Sequence, residues 1–409
     1  MSGVLGIIAD YNPFHNGHLL HLNQSKKATN CNYTICVMTG NFTQRGEPSI
    51  VDKWAKAKMA LASGVDLVIE LPIHYAISSA ENFADGAVKI LNSLGIVDYL
   101  SFGSESGDVQ LLDSIADILH KNPREFSSLL NHELKKGSSF PAARENALLM
   151  YLGDTRKYAN IISAPNNILG IEYMKALKKY KSKIIPVSIK RKDAEFNSLT
   201  VHTGIASATA IRELIKTNQK INTVVPDTTS KVLAKEIRNK HFVMSLDKYE
   251  KEILYTFRRL SIQEIANLPD VTEGLEHRLK GAANSCNTLS EFMEKVKTKR
   301  YTNTRIQRIL LYAILNIKKE DMDIAKKNIP YVRVLGFNTV GKELISKIAE
   351  KNPKLKIIVS VKRFMEASKD IPLKLMLEKD IFAGNIYTLA YKKDSQSYLD
   401  YTNGVVELK

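Results

Sequence analysis

The sequence predicts an α/β protein with an open parallel sheet in its first half, followed by a largely helical region that ends in a small α/β segment. Three observations predict this. Short β-branched runs alternate with helix-length patterns through the first half. The apolar periodicity is helical almost throughout residues 230–319, and mixed character returns from residue 331 onward.

The elements follow in order. Residues 4–9 read as a strand and 18–28 as a helix; 33–38 is a second strand and 51–63 a second helix. Residues 65–70 form a third strand, 79–94 a helix, 99–103 a fourth strand and 184–189 a fifth. Strands separated by helices of that length imply a parallel, Rossmann-like sheet covered on both faces. Ligands bind such sheets at the carboxyl ends of the strands. Residues 108–160 are helical, with Pro123 and Pro141 as punctuation, and read as a helical insertion. Helices are expected over 168–179 and 208–216. Pro226 marks the boundary between a first domain, 1–225, and a second, 226–409. In the second, 331–335 and 356–361 read as strands around a helix at 340–350.

With 409 residues, the chain is long enough for two or three domains. It is 44% hydrophobic and 25% charged, which disfavours disorder. The 59 Lys and Arg against 43 Asp and Glu leave a net charge of +16, and that points to a polyanionic partner. Charge alone does not separate RNA from an acidic membrane surface. Cys31, Cys36 and Cys286 make no CxxC pair and are odd in number, so neither a disulfide framework nor a zinc site is expected. A reducing cytoplasm is the simplest compartment. Residues 4–9 are too short for a signal peptide core, and no apolar run approaches the roughly 18 residues of a membrane span.

The chemistry concentrates after the first strand, in Asn12-Pro13-Phe14-His15-Asn16-Gly17-His18. Pro13 fixes the backbone before the turn, and Gly17 omits a side chain where a ligand would come close. Gly17 and His18 open a helix whose free N–H groups form an anion site. His15 and His18, three apart, can both face one phosphate and donate to the charge that builds on a pentacoordinate phosphorus. No third ligand at convincing spacing supports a metal site, so none is expected. Taken alone, the segment supports nucleotidyl transfer.

This segment resembles the HxGH signature of the nucleotidyltransferase superfamily, which includes class I aminoacyl-tRNA synthetases. Further blocks narrow the resemblance: Gly40-Asn41-Phe42-Thr43-Gln44-Arg45-Gly46-Glu47-Pro48, Asp66-Leu67-Val68-Ile69-Glu70-Leu71-Pro72, Phe102-Gly103-Ser104-Glu105, Pro165-Asn166-Asn167-Ile168-Leu169-Gly170 and Thr298-Lys299-Arg300-Tyr301-Thr302. Together they are similar to the bacterial tRNA(Met) cytidine acetate ligase family. The resemblance implies formation of acetyl-AMP from acetate and ATP, with Mg²⁺ as the ATP counter-ion. It then implies acetyl transfer to N4 of the wobble cytidine, C34, of elongator tRNA(Met). It implies an ATP loop made of Ile8, Ala9, Asp10, Tyr11, Asn12, Pro13, Phe14, His15, Asn16, Gly17, His18, Leu19, Leu20 and His21. Adenosine contacts fall by the same resemblance on Gly103, Asn167 and Arg191. Asp10 is a departure, since the family pattern has Glu there. No membrane association and no stable protein partner is expected.

Other constellations support the reading. Ser207 or Thr209 can cap the helix at 208–216 and offer hydroxyl and N–H groups to phosphates, with Arg212 one turn inside. Gln44 and Arg45, in a Gly-flanked loop after the second strand, suggest a lid. Lys53, Lys56 and Lys58 follow on a helix and read mostly as a solvated face, with one able to reach phosphates. Asn166 and Asn167 precede a helix and can cap it or read the adenine edge. Lys190, Arg191 and Lys192 follow the fifth strand, one for ATP and the others for tRNA phosphates. Lys297, Lys299, Arg300, Arg305 and Arg308, with Tyr301 among them, suit an RNA backbone and an unstacked base. Two rivals remain open: a small-molecule adenylyltransferase or acyl-adenylate amide ligase of the same superfamily, and a non-catalytic RNA- or ribosome-associated protein.

Overall fold

The computed structural model describes residues 3–191, 204–272 and 274–409. Lys192 lies outside them. The elements of the first half are β1 (Val4–Ala9), α1 (Asn16–Thr29), β2 (Tyr33–Thr39), α2 (Lys53–Ala62), β3 (Leu67–Leu71), α3 (Ile73–Ala76), α4 (Ala80–Leu94) and β4 (Tyr99–Ser104). Then come α5 (Val109–Lys121), α6 (Arg124–Lys135), α7 (Phe140–Leu152), α8 (Thr155–Ile162), α9 (Pro165–Lys179), β5 (Ile185–Lys190) and α10 (Ala208–Lys216). The helical region comprises α11 (Asp227–Asn239), α12 (Glu250–Arg259), α13 (Ile262–Ala266), α14 (Leu275–Ser285), α15 (Leu289–Val296), α16 (Asn303–Ile314) and α17 (Lys319–Lys327). The chain ends with β6 (Val332–Asn338), α18 (Thr339–Lys351), β7 (Ile357–Ile358), α19 (Val361–Ala367), α20 (Ile371–Thr388), α21 (Leu399–Thr402) and β8 (Val406–Leu408).

The strands form one sheet in the order β5-β4-β1-β2-β3-β6-β7, with β8 also on β6. Strands β1 to β5 pair in parallel, and β6 runs antiparallel to β3. Successive residues of a strand point to opposite faces, and here both faces are apolar. Val4, Ile35, Val37, Leu67 and Ile69 join one core with Phe83, Val88 and Leu91 of α4 and Met174 and Leu177 of α9. Their alternates Leu5, Ile7, Cys36, Met38 and Val68 join the opposite core with Met59 of α2, Ile211 of α10 and Leu233 of α11. Continuous apolar runs in β2 and β3 therefore mark central strands sandwiched by helices.

The helices expected as an insertion all join the main core, α5 through Leu112, Ile115 and Ala116, α6 through Phe126, α7 through Ala147 and Leu148, and α8 through Ile162. The helical region has a core of its own, in which Phe257, Leu279, Phe292 and Leu310 meet Phe42, Ile73 and Tyr387 from the sheet side. The closing α/β segment completes the N-terminal sheet: Val332 and Val334 enter one core and Leu335 the other. The strand expected over 356–361 shrinks to Ile357–Ile358, because Ser360 accepts a hydrogen bond from the Arg363 N–H and starts α19.

Two lysines assigned to a solvated face are buried. Lys53 is 1% exposed and Lys56 is fully buried, whereas Lys58 is exposed. Lys53 Nζ bonds both Glu70 oxygens at 3.0 and 3.1 Å and Asp400 at 2.5 Å. Arg333 pairs with Glu70 at 3.0 Å and with Asp400. Asp380 accepts from Tyr331 and from the Ile73 N–H at 2.7 Å. This cluster locks α20 and α21 against β3 and the start of α2. Lys56 is consumed by Thr39, Gly40 and Ser49, so it anchors the loop after β2 and does not reach a phosphate.

Candidate active site

A cavity of about 250 Å³ opens at the carboxyl ends of β1, β4 and β5 and is bordered by the loop after β2. The N-terminal turns of α1 and α10 both face it, through His15, Gly17 and His18 on one side and Ser207, Ala208 and Thr209 on the other. The first-turn N–H groups of α1 are taken by the Val224 and His15 carbonyls and by His15 Nδ1, so α1 offers its positive dipole end and its imidazoles, while α10 presents its first turn from Ala208 and Thr209. Both helix ends favour an anion in this space.

His15 is the N-cap of α1, and its Nδ1 accepts from the Gly17 N–H at 3.1 Å. The His18 Nδ1 accepts from the His15 N–H at 3.3 Å. Each ring therefore carries its proton on Nε2, as a donor. The rings stack with centroids 3.7 Å apart, and Tyr11 sets its edge against His18 at 4.8 Å. Gly17 has a steric reason: a Cβ there would lie 2.9 Å from the His15 ring and expel it from its capping position. Tyr11 holds a left-handed φ of 45°, strain kept by its contacts with Phe14 and His18 at the loop that carries the chemistry.

Burial, with the Arg191 and Arg212 charges, lowers His15 to about 3. Burial, then His15 and Arg191, lowers His18 in the same direction. Burial and Arg191 lower His21, also in the lining, to about 4. All three imidazoles are neutral near pH 7. Positive charge at the cavity comes instead from Arg45, Lys190, Arg191 and Arg212.

Arg191 leaves β5 with its N–H on the Ser104 carbonyl at 2.9 Å. A Cβ on Gly103 would stand 3.3 Å from the Arg191 Cγ, so the glycine lets the arginine lie against β4. Arg212 donates to the Asn12 carbonyl at 3.0 Å, to Glu47 at 3.2 Å and to Thr209 Oγ1 at 3.4 Å. Ser207 caps α10 by accepting from the Ala210 N–H at 3.0 Å.

The two asparagines sit inside the first turn of α9 and not before it. Asn167 is 1% exposed and is not in the cavity lining; its Oδ1 accepts from the Glu105 and Ser106 N–H groups, and its Nδ2 donates to Ile161. Asn166 does border the cavity, and its Nδ2 is tied to Glu105 at 2.6 Å. Glu105 also accepts from the Asn167 N–H at 2.9 Å, where the helix dipole favours a carboxylate.

The loop at residues 40–48 places Gln44 and Arg45 in the cavity lining. It is a turned hairpin closed by Thr43 N–H to Glu47 at 2.9 Å, and Gln44 Nε2 donates to Ser78 at 3.0 Å. Gly46, at φ 77°, backs directly onto the Gln307–Arg308 backbone, where a Cβ would be 2.6 Å from the Arg308 nitrogen. The loop thus touches both the cavity and α16.

The basic stretch at residues 295–308 is not one helix. Helix α15 ends at Val296, and Thr302 caps the new helix α16. Lys297 and Lys299 are exposed between them. Arg305 bonds the Asp270 carbonyl at 2.7 Å and Thr272 at 2.9 Å, and Arg308 pairs with Asp270 at 3.2 Å. Tyr301 is 8% exposed beneath Arg305.

The apolar wall of the cavity, made by Phe83, Phe102, Leu169 and Tyr173, was not singled out from the sequence. Phe83, Leu169 and Tyr173 sit on helices, where aromatic and aliphatic residues signal core packing just as well. Among the described residues no group of three or more His, Cys, Asp or Glu gathers as a metal site, and no helix is long and apolar enough to cross a membrane.

A family model described as HIGH Nucleotidyl Transferase matches residues 2–401. A Thermoanaerobacter sp. (strain X514) protein named tRNA(Met) cytidine acetate ligase is 46% identical over 409 residues, covering 99% of this chain and 100% of that protein. The crystal structure of apo Thermotoga maritima TmcAL superposes with a TM-score of 0.95 at 35% identity, covering 99% of each chain. The same protein bound with alpha-thio ATP gives a TM-score of 0.93 at 34% identity over 99% of each chain.

Proposed function

The chain belongs to the tRNA(Met) cytidine acetate ligase family of HIGH nucleotidyl transferases, tRNA-modifying ligases, and from that premise we propose that it activates acetate with ATP as acetyl-AMP and acetylates N4 of the wobble cytidine of elongator tRNA(Met). In the first step an acetate oxygen attacks the α-phosphorus of ATP in line and pyrophosphate leaves. His15 and His18, neutral and donating from Nε2, stabilise the charge that grows on the equatorial oxygens. The dipole ends of α1 and α10, the first turn of α10 and the guanidinium of Arg212 receive the remaining phosphate charge. Gly103 and Arg191, at the ends of β4 and β5, hold the adenosine side. Mg²⁺ brought with ATP as its counter-ion would neutralise phosphate charge beside the Arg45, Arg191 and Arg212 guanidiniums.

In the second step the unstacked cytidine presents its amine to the acetyl carbonyl, and AMP leaves. The net charge of +16 and the exposed Lys297 and Lys299 support an RNA acceptor. The observation that carries the reading is the pair of Nε2–H imidazoles set between two helix N-termini. Mass analysis of tRNA nucleosides after incubation with ATP and labelled acetate tests it. Labelled N4-acetylcytidine is the expected product, and its absence while ATP still binds rejects the assignment.

A further inference from the structure

Asp10 follows directly on β1 and borders the cavity. Its Oδ1 is shielded from water and has no hydrogen-bond partner among the described residues. An interior acceptor left unpaired is costly and rare, so it calls for an explanation. The groups around the carboxyl come from every neighbouring element: the Thr39 hydroxyl at the end of β2, the Gln44 N–H and the Arg45 charge from the loop, and Lys56 from α2. Tyr173 of α9 feels its charge as well. Lys56 is already committed to Thr39, Gly40 and Ser49.

A carboxylate is acceptor-only. It repels the phosphates of ATP and the carboxylate of acetate, so it is no part of the anion clamp. It needs a substrate that brings an N–H or O–H. The ribose of ATP has hydroxyls, but the adenosine side lies toward β4 and β5, on one flank of β1. Asp10 turns to the other flank, toward Thr39 of β2 and the loop that touches α16. The donor expected from that direction is the cytidine amine.

We propose that Asp10 is the general base of acetyl transfer, an inference that rests on the two-step reading above. The N4 lone pair forms the new C–N bond to the acetyl carbon. The bond from that carbon to the phosphate oxygen breaks, AMP leaves with its electron pair, and the N4 proton passes to the Asp10 carboxylate and from there to solvent. Burial pushes the Asp10 carboxyl above its ordinary value, against the pull of Lys56 and Thr39. A raised value brings the base closer to working pH.

The test uses the full-length enzyme and measures the two half-reactions apart: acetate-dependent ATP–pyrophosphate exchange, and single-turnover transfer from supplied acetyl-AMP to tRNA. D10N is expected to slow transfer at least ~100-fold more than it slows exchange, in line with the usual contribution of a general base. Wild-type transfer should rise with pH through the Asp10 titration, D10N should lose that rise, and D10E should restore it. Equal losses in both half-reactions, a change confined to the KM for ATP, or an unaltered transfer profile overturns the assignment. Failure of wild-type enzyme to acetylate tRNA from acetyl-AMP strikes the two-step reading instead.

Discussion

Replacing Lys53 by methionine should destabilise the fold and leave ATP binding intact. Lys53 is buried with Nζ 3.0 and 3.1 Å from the Glu70 oxygens and 2.5 Å from Asp400. Without it, Glu70 and Asp400 keep Arg333 as their one cation in the cluster, with Asp380 close by. Removing one partner of a buried ion pair costs about 3–5 kcal/mol, because the charge left behind is neither solvated nor paired. Over 409 residues, an unfolding entropy of about 2.1 cal/mol/K per residue turns that loss into a fall in Tm of roughly 3–6 °C. Adding Asp400→Asn restores the charge balance around Arg333 and Glu70, so the double variant should recover much of the loss. Denaturant titration of the two single variants and the double variant measures the cycle, and the KM for ATP in pyrophosphate exchange is followed alongside. A loss below about 1 kcal/mol, or a tenfold rise in that KM with stability unchanged, refutes the reasoning and returns Lys53 to the phosphates.

Two further outcomes follow from the geometry. Burial lowers His74 to about 4, below the ~6.5 of an unfolded chain, so the unfolded state takes up the proton first and this histidine weakens the fold as pH falls from 6.5 toward 4. The stability of wild type relative to His74→Leu should therefore drop by about 2 kcal/mol between pH 7 and pH 5, and a difference independent of pH contradicts the buried neutral imidazole. The pair Lys297→Ala/Lys299→Ala should weaken tRNA binding and flatten its dependence on log salt by about 1–2, without altering tRNA-independent exchange. Arg305→Ala, which loses the bonds to Asp270 and Thr272, should register as lost stability instead.

The parts of the molecule legible in the sequence are those whose signal is local. Alternation of β-branched runs with helix-length patterns shows the parallel sheet. A strand followed by His15-Asn16-Gly17-His18 and a helix shows the capped helix start, because N-capping and the need for Gly17 are written within a few residues. The interior lysines are a different case. On α2, Lys53 and Lys56 look like any basic face, but Lys53 is buried on Glu70 and on Asp400, 347 residues away, and Lys56 on the folded-back loop after β2. The joining of β6 to β3 is likewise a long-range pairing, invisible to periodicity. Arg305 and Arg308 read as RNA contacts because sequence spacing cannot reveal that Asp270 comes to meet them. Asn167 and Asn166 differ by one position on a helix, yet one is consumed by the Glu105 turn and the other faces the cavity. Only the register of packed elements decides between them.

In the proposed mechanism the paired neutral imidazoles drive formation of an acyl-adenylate. Acetate-dependent exchange of labelled pyrophosphate into ATP, in wild type and His18→Ala, addresses it without tRNA. Exchange should require acetate and fall about 10²–10³-fold in the variant, the usual loss on removing one such donor. Exchange that proceeds without acetate, or that survives His18→Ala unchanged, contradicts it.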